Sequence, residues 1–349
     1  MKLGEIETEY REFLRSKTSR MFELLRTIDS GGLCPEIAAT PLGAGFRNRL
    51  KFKIFPSESG FQCFGTDPLR GEVPVEDALW LAPPWAVDVF GACREILVSS
   101  RSHCPVDGFE LQLTHGREEA HLTLSVPKSA DADCSSLAAD LLSGIPNLIG
   151  AAVPSQKLET GQTELKHHIL GLDIHAHYRA FFQSNLHLTP RLVEEFLTRA
   201  RNLDRSRIVD LYSGVGLFSL FLSGQGPVNV IGSDMNPYAI SSAVKNAERI
   251  KPEQAEYHSL SVEKFLERFP LNPEDFVLLN PSRSGCSNVV VSGVASSRPK
   301  NVCLISCSFD TQVRDISGFV EEGYRIESIS AFDMFPFTDF LETVVFLSL

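Results

Sequence analysis

No apolar stretch in this 349-residue sequence approaches the ~20 residues needed to span a bilayer, which argues against a membrane-spanning helix. The opening residues, MKLGEIETEYREF, are charged and lack the apolar centre of a secretory signal. No C-x-x-C pair occurs among the eight cysteines. Without a sign of export they are expected to be reduced thiols of a cytoplasmic protein, not a disulfide framework. Internal repeats and low-complexity tracts are missing too. So is an excess of positive charge: the net charge is −11, which argues against non-specific nucleic-acid binding but leaves room for a local basic surface. The length implies two domains. No membrane contact and no obligate protein partner is expected, so the chain reads as a monomer.

What is present is an alternation of strand and helix in the C-terminal half. SRIVDLYSG runs from a strand into a glycine turn, and NVIGSDMNP is a second strand. FVLLNPSRSG and NVCLISCS are apolar runs of the length expected for strands buried on both faces. After the second strand, Asn236 and Pro237 form a cap and first turn, and Ile240, Ala243, Val244, Ala247 and Ile250 form one helical face. Alternation with short joins predicts an α/β, doubly wound, mostly parallel sheet. YRIESISAFDMF and LETVVFLSL have no helix between them, which predicts an antiparallel edge hairpin. A parallel sheet closed in this way is the Rossmann-like pattern of class I methyltransferases. Ahead of it, the pattern suggests a long charged helix over roughly residues 5–28, then strand-like runs broken by Gly and Pro. The expected division is an N-terminal α+β domain over 1–175 and an α/β domain over 176–349.

In such a sheet, ligands bind at the carboxyl ends of the strands. Gly214 and Gly216 follow the first strand and let the backbone approach a ligand without a Cβ in the way. Asp234 ends the second strand, about twenty residues on, the spacing at which an acidic residue meets ribose hydroxyls. Asn280 and Cys307 end the third and fourth. Phe218 and Ser219 stand where a third glycine would complete G-x-G-x-x-G, which disfavours a dinucleotide and favours S-adenosylmethionine.

Six segments in chain order resemble the motifs of the RNA uracil-C5 methyltransferases, over most of the chain and all of its C-terminal half. AFFQSN resembles F-x-Q-x-N, whose glutamine contacts S-adenosylmethionine; here that residue is Gln183. VDLYSGVGLFSL resembles D-L-Y-C-G-x-G-x-F-S-L, which implies that Tyr212 and Gly214 line the cofactor pocket. GSDMNPYAI supplies Asp234 where the family has an acidic ribose ligand. LLNPSRSG resembles D/N-P-P-R-x-G, and LISCSFDTQVRD resembles Y-x-S-C-N-P-x-T-x-x-R-D. FDMFPFTDFLETVVFL resembles F-D-x-F-P-H-T-x-H-x-E. The resemblance implies methylation of a uridine in tRNA or ribosomal RNA, with Cys307 as nucleophile and Glu342 as base. Topology supports Glu342 independently, because an antiparallel last strand starts at the edge where parallel strands end.

The chemistry requires these residue types. C5 of uracil is too poor a nucleophile to take a methyl group unaided; a thiolate adding to C6 makes C5 enolate-like. A base must then remove the C5 proton. The amide of Asn280 can accept from uracil N3–H and donate to O4, with some contact to the cofactor as well, and Arg283 can bind phosphate, bind a carboxylate or hold its loop. Several positions depart from the family pattern: Ser213, a change expected to be harmless, and Ser282, Ser308 and Phe309, and Phe337 and Phe340 in place of two histidines. These last changes bear on substrate choice and rate. Cys34, Cys63, Cys93 and Cys104 are too dispersed for the iron–sulfur cluster of some relatives.

In FRNRLKFKI, Arg47, Arg49, Lys51 and Lys53 share one strand face and Phe46, Asn48, Leu50, Phe52 and Ile54 the other. Four cations in an acidic chain suggest contact with RNA phosphates. His175 and His177 would share a strand face but have no evident third ligand, so no metal is expected. Two other functions stay open: a cytosine-C5 methyltransferase, and a non-catalytic RNA-binding or folding factor on a methyltransferase scaffold.

Overall fold

The charged N-terminal segment is helical: α1 spans Leu3–Leu25 in a computed structural model that describes residues 3–28, 32–42, 45–57, 60–100, 104–129 and 132–349. A two-residue strand, β1 (Ile37–Ala38), follows. Then come β2 (Arg49–Ser57), β3 (Gly60–Asp67), β4 (Gly71–Pro74), α2 (Val75–Ala78), α3 (Pro84–Ser100), β5 (Gly108–Leu113) and β6 (Ala120–Ser125). α4 (Ser135–Gly144), β7 (Leu148–Val153), β8 (Leu158–Gly161), β9 (Glu164–Ile169) and β10 (Leu172–His177) complete this half. Seven strands form one sheet in the order β4-β3-β2-β5-β6-β7-β8, antiparallel except where β6 meets β7, and β9 pairs with β10 as a hairpin. Alternation explains β2: Leu50, Phe52 and Ile54 are buried, and Arg49, Lys51 and Lys53 are exposed.

The second half alternates as its apolar runs predict. Its elements are α5 (Leu188–Ala200), β11 (Arg207–Leu211), α6 (Leu217–Ser223), β12 (Asn229–Ser233), α7 (Pro237–Ile250), β13 (Gln254–His258) and α8 (Val262–Arg268). β14 (Asp275–Leu279), α9 (Asn288–Ser296), β15 (Asn301–Ser306), α10 (Phe309–Glu321), β16 (Arg325–Phe332) and β17 (Glu342–Ser348) follow. The sheet order is β1-β16-β17-β15-β14-β11-β12-β13, with only β17 antiparallel to its neighbours. α7 starts as expected, the Asn236 side chain accepting the Tyr238 N–H and Pro237 opening the first turn. Ile240, Ala243 and Ala247 are buried, whereas Val244 is exposed.

Three expectations are corrected. The last hairpin is not the sheet edge, because β17 inserts between β15 and β16 and β1 pairs in parallel with β16. The N-terminal segment does not all belong to the first domain. Contacts group residues 1–6, 41–178 and 183–187 in one unit and 7–40, 179–182 and 188–349 in the other. The reason is burial: Met21 and Leu25 of α1 and Ile37 of β1 enter the same apolar core as Val209, Leu279 and Leu304. Finally, Cys104 and Cys134 are joined by a disulfide, their Cα atoms 5.6 Å apart, so the reading of the cysteines as a wholly reduced set fails at this pair. The other six cysteines are free thiols.

Candidate active site

The five parallel strands β11 to β15 end on one edge, and the turn after β11 is built for close approach. Tyr212, Gly214 and Gly216 all have positive φ (63°, 55° and 79°), and a Cβ at Gly216 would come within 2.8 Å of Leu220 Cδ1 and Tyr257 OH. At Gly214 an added Cβ would meet no atom within 4 Å, so this backbone faces open space. Asp234 organises the turn. Its Oδ2 accepts the Gly214 N–H at 3.0 Å and its Oδ1 accepts the Asn236 N–H at 2.8 Å, leaving further lone pairs on both oxygens. Underneath, Ser219 Oγ donates to Asp210 and lies 3.0 Å from Tyr257 OH; burial pushes the Asp210 carboxyl up to about 7. Sequence reasoning missed this support, although Asp210 and Ser219 both lie within the segment it singled out.

The second cluster is set by strand register. β15 and β17 pair up to Ser306 opposite Thr343, so the next residue on one strand's continuation, Cys307, and the first residue of the other, Glu342, come to the same end of the ladder. Glu342 is 2% exposed, and burial pushes its carboxyl up to about 8. Cys307 is half-buried. Its thiol is pushed up to about 11, first by burial and then by the Glu342 charge, while the Arg283 guanidinium acts in the opposite direction. Arg283 stacks over the Phe340 ring, its Cζ 3.7 Å from the centroid.

The rest of the Cys307 motif holds the Arg283 loop in place. Thr311 Oγ1 donates to the Arg283 carbonyl at 3.1 Å. Asp315 Oδ2 accepts the Cys286 N–H at 2.7 Å, and Arg314 donates to the carbonyls of Ser284 (3.1 Å) and Cys286 (2.9 Å). Gly285 is required there: at φ 73° a Cβ would lie 2.5 Å from Arg314 Nη2. Asn280 is half-buried and its N–H donates to the Leu211 carbonyl at 3.2 Å, which ties the end of β14 to that of β11. A thiol, a buried carboxyl and a guanidinium thus share one edge with a carboxylate-braced glycine turn. This set can deliver a nucleophile and a base beside a nucleoside.

The remaining candidates belong to the other unit. Gln183 lies in the segment 183–187, where its carbonyl accepts from the Asn48 side chain at 2.9 Å. Arg47 is half-buried and bridges Asn185. Arg49, Lys51 and Lys53 share a face as expected, but that face is not purely cationic. Glu110 on β5 pairs with both Arg49 and Lys51, and Glu72 on β4 pairs with Lys53. Neighbouring strands supply acids that no reading of β2 alone could show. Among the described residues, no group of three His, Cys, Asp or Glu is placed to hold a metal, and no helix is long and apolar enough to cross a membrane.

The family model described as tRNA (uracil-5-)-methyltransferase matches residues 144–349. A Prochlorococcus marinus protein described as an uncharacterized RNA methyltransferase is 34% identical over 190 residues, 54% of this chain and 45% of that one. A Nostoc protein with the same description is 28% identical over 99% of this chain and 79% of its own length. The chain thus spans less than half of the Prochlorococcus relative. Among solved structures, a Pyrococcus abyssi tRNA (uracil-54, C5)-methyltransferase in complex with S-adenosyl-L-homocysteine superposes with a TM-score of 0.75 at 21% identity, over 97% of this chain and 83% of its own. That likeness is one of fold.

Proposed function

The chain belongs to the tRNA (uracil-5-)-methyltransferase family, and from that premise we propose that it methylates C5 of a uridine in tRNA, or alternatively ribosomal RNA, through a covalent Cys307 adduct. The observation that carries this reading is the register that pairs Ser306 with Thr343, the neighbours of Cys307 and Glu342, together with the Glu342 charge felt at the Cys307 thiol. When bound, S-adenosylmethionine supplies a methyl group on a positively charged sulfur. The Gly214 backbone and Asp234 would hold its nucleoside end, a role that fits the open face of Gly214 and the lone pairs left on Asp234.

The protein residues divide the work. Arg283 favours the Cys307 thiolate, which adds to uracil C6 and leaves C5 electron-rich. Once C5 has gained the methyl group, Glu342 takes the C5 proton. The electron pair of that C–H bond re-forms the C5–C6 double bond and expels the thiolate. A carboxyl pushed up to about 8 is a stronger base than an ordinary glutamate, which suits removal of a carbon-bound proton. Asn280, at the end of β14 between the two clusters, is proposed to read the uracil edge through its amide.

Two expected results arise here. Asp234→Ala should weaken binding of S-adenosylmethionine and its demethylated product at least tenfold, since it removes ribose contacts and also releases the Gly214 N–H; hydrogen bonds of this kind contribute about 1 kcal/mol or more each. Calorimetry on folded protein showing unchanged affinity would move the nucleoside contact elsewhere.

The basic strand gives a two-way test, resting on the proposal that its cations contact phosphates. Replacing Lys51 and Lys53 by Gln should flatten the salt dependence of tRNA binding by about one unit per lost contact. Glu110→Gln should steepen it, because Arg49 and Lys51 lose their competing partner. Slopes unchanged in both variants would leave β2 as a solvated charged face.

A further inference from the structure

α1 lies outside the matched region 144–349, yet it grips the loop that delivers Glu342. The Lys17 ammonium is buried, with its side chain 6% exposed, and three acceptors surround it. Asp333 Oδ1 lies at 2.5 Å, the Phe335 carbonyl at 3.0 Å and the Phe340 carbonyl at 2.8 Å. The last pair of the β16–β17 ladder is Phe332 with Glu342. Asp333 is the next residue after that pair on one side, and Phe340 stands two residues before it on the other. One ammonium therefore ties both ends of the connection between β16 and β17 immediately beyond Glu342.

Two further contacts fasten the middle of the loop. Phe337 has a positive φ of 61°, a conformation a bulky side chain adopts only where its surroundings over-determine it. Its ring sits between those of Tyr10 and Phe13 of α1, at centroid distances of 5.4 and 5.6 Å. Phe340 carries the Arg283 guanidinium. The two phenylalanines that replace histidines of the family pattern are thus both in use, one as an anchor on α1 and the other as a platform for Arg283.

We propose that Lys17 is a positioning residue for Glu342: by tying Asp333 to Phe340 across the loop, it holds the carboxyl where it can take the C5 proton. The inference rests on the covalent mechanism proposed above. A cavity of about 300 Å³ flanks the loop on the α1 side, lined in part by Phe13, Lys17, Asp339 and Leu341, so the loop has room to shift once the tie is cut.

The prediction is specific to one step. Lys17→Met should leave cofactor affinity and single-turnover methyl incorporation within about threefold of wild type, slow multiple turnover by tenfold or more, and let a covalent protein–RNA species accumulate. Because Lys17→Met strands the buried Asp333 charge and could unfold the protein, the double variant Lys17→Met with Asp333→Asn is measured beside it; no unpaired charge is left there. A merely structural role would reduce methylation and adduct together, in proportion to the folded fraction. Glu342→Gln is the reference. If it accumulates adduct and the double variant, folded, turns over as fast as wild type or accumulates none, the positioning role is overturned and the mechanism stands. If Glu342→Gln accumulates none, the mechanism itself fails and this inference with it.

Discussion

With Glu342→Gln, a SAM-dependent, protease-sensitive protein–RNA species is expected to accumulate while turnover falls by at least two orders of magnitude. The glutamine keeps the size of the side chain but cannot accept the C5 proton, so methylation proceeds and elimination of the thiolate stalls. General-base steps contribute about 10²–10⁴ in rate, which sets the size of the loss. The species should require Cys307 and be absent from Cys307→Ala with Glu342→Gln. Cys307→Ala alone should abolish methyl transfer and leave cofactor affinity intact. Cys307 follows the end of β15, whereas the glycine turn is held by Asp234, Ser219 and Tyr257. Turnover of Glu342→Gln at the wild-type rate would place the base elsewhere, despite the ladder that brings Glu342 and Cys307 to one end.

The same pair predicts a pH dependence. Glu342 accepts a proton only as the carboxylate, and burial raises its pKa to about 8, so elimination should speed up as pH rises through that value. In the proposed mechanism Cys307 acts as the thiolate and its pKa is raised further, so initial addition should also gain with pH. The two steps separate in a pulse experiment, because adduct decay reports Glu342 and adduct formation reports Cys307.

Legibility of this chain follows burial. β11, β12, β14 and β15 are buried on both faces and stand out as apolar runs, and with them came the crevice and the positions of Asp234, Asn280 and Cys307. β13 left no such trace. It is an edge strand, only Tyr257 is buried within QAEYH, and yet that tyrosine braces the glycine turn. β1 is two residues long, too short for any periodicity. The charge partners were hidden for a different reason. Glu110 and Glu72 neutralise β2 only once strand register is known, and Lys17 meets Asp333 across 316 residues of sequence. Motif reading finds candidates for the chemistry, whereas the residues that hold them are chosen by the fold. The disulfide between Cys104 and Cys134 belongs with the latter, since 30 residues separate its ends.

Stability of the N-terminal unit is expected to collapse between pH 7 and pH 5, because it buries histidines that cannot charge in place. His115 and His121 are each 1% exposed and are pushed by burial down to about 3, and His167, whose Nδ1 lies 3.0 Å from that of His115, is lowered as well. An unfolded histidine takes its proton near 6.5, so between that value and about 3 the unfolded chain binds more protons than the folded one. The stability is therefore complete above about pH 6.5 and is lost as pH falls. At pH 5, some 1.5 units below the unfolded value, His115 and His121 together account for about 4 kcal/mol. That approaches the low end of domain stabilities, about 5 kcal/mol. His121 offers the control. Its ring stacks on Tyr178 at 4.4 Å, and neither ring nitrogen has a hydrogen-bond partner among the described residues. His121→Phe keeps the stack, removes two unsatisfied polar atoms and should stabilise the unit by about 1 kcal/mol at pH 7. It should also cut the loss between pH 7 and pH 5 by about 2 kcal/mol, its share of the proton linkage. Urea unfolding of the whole chain at pH 7, 6 and 5, followed by fluorescence of Trp80 and Trp85 in this unit, measures both quantities. A midpoint that stays constant over this range would mean that the histidines reach water before the unit unfolds.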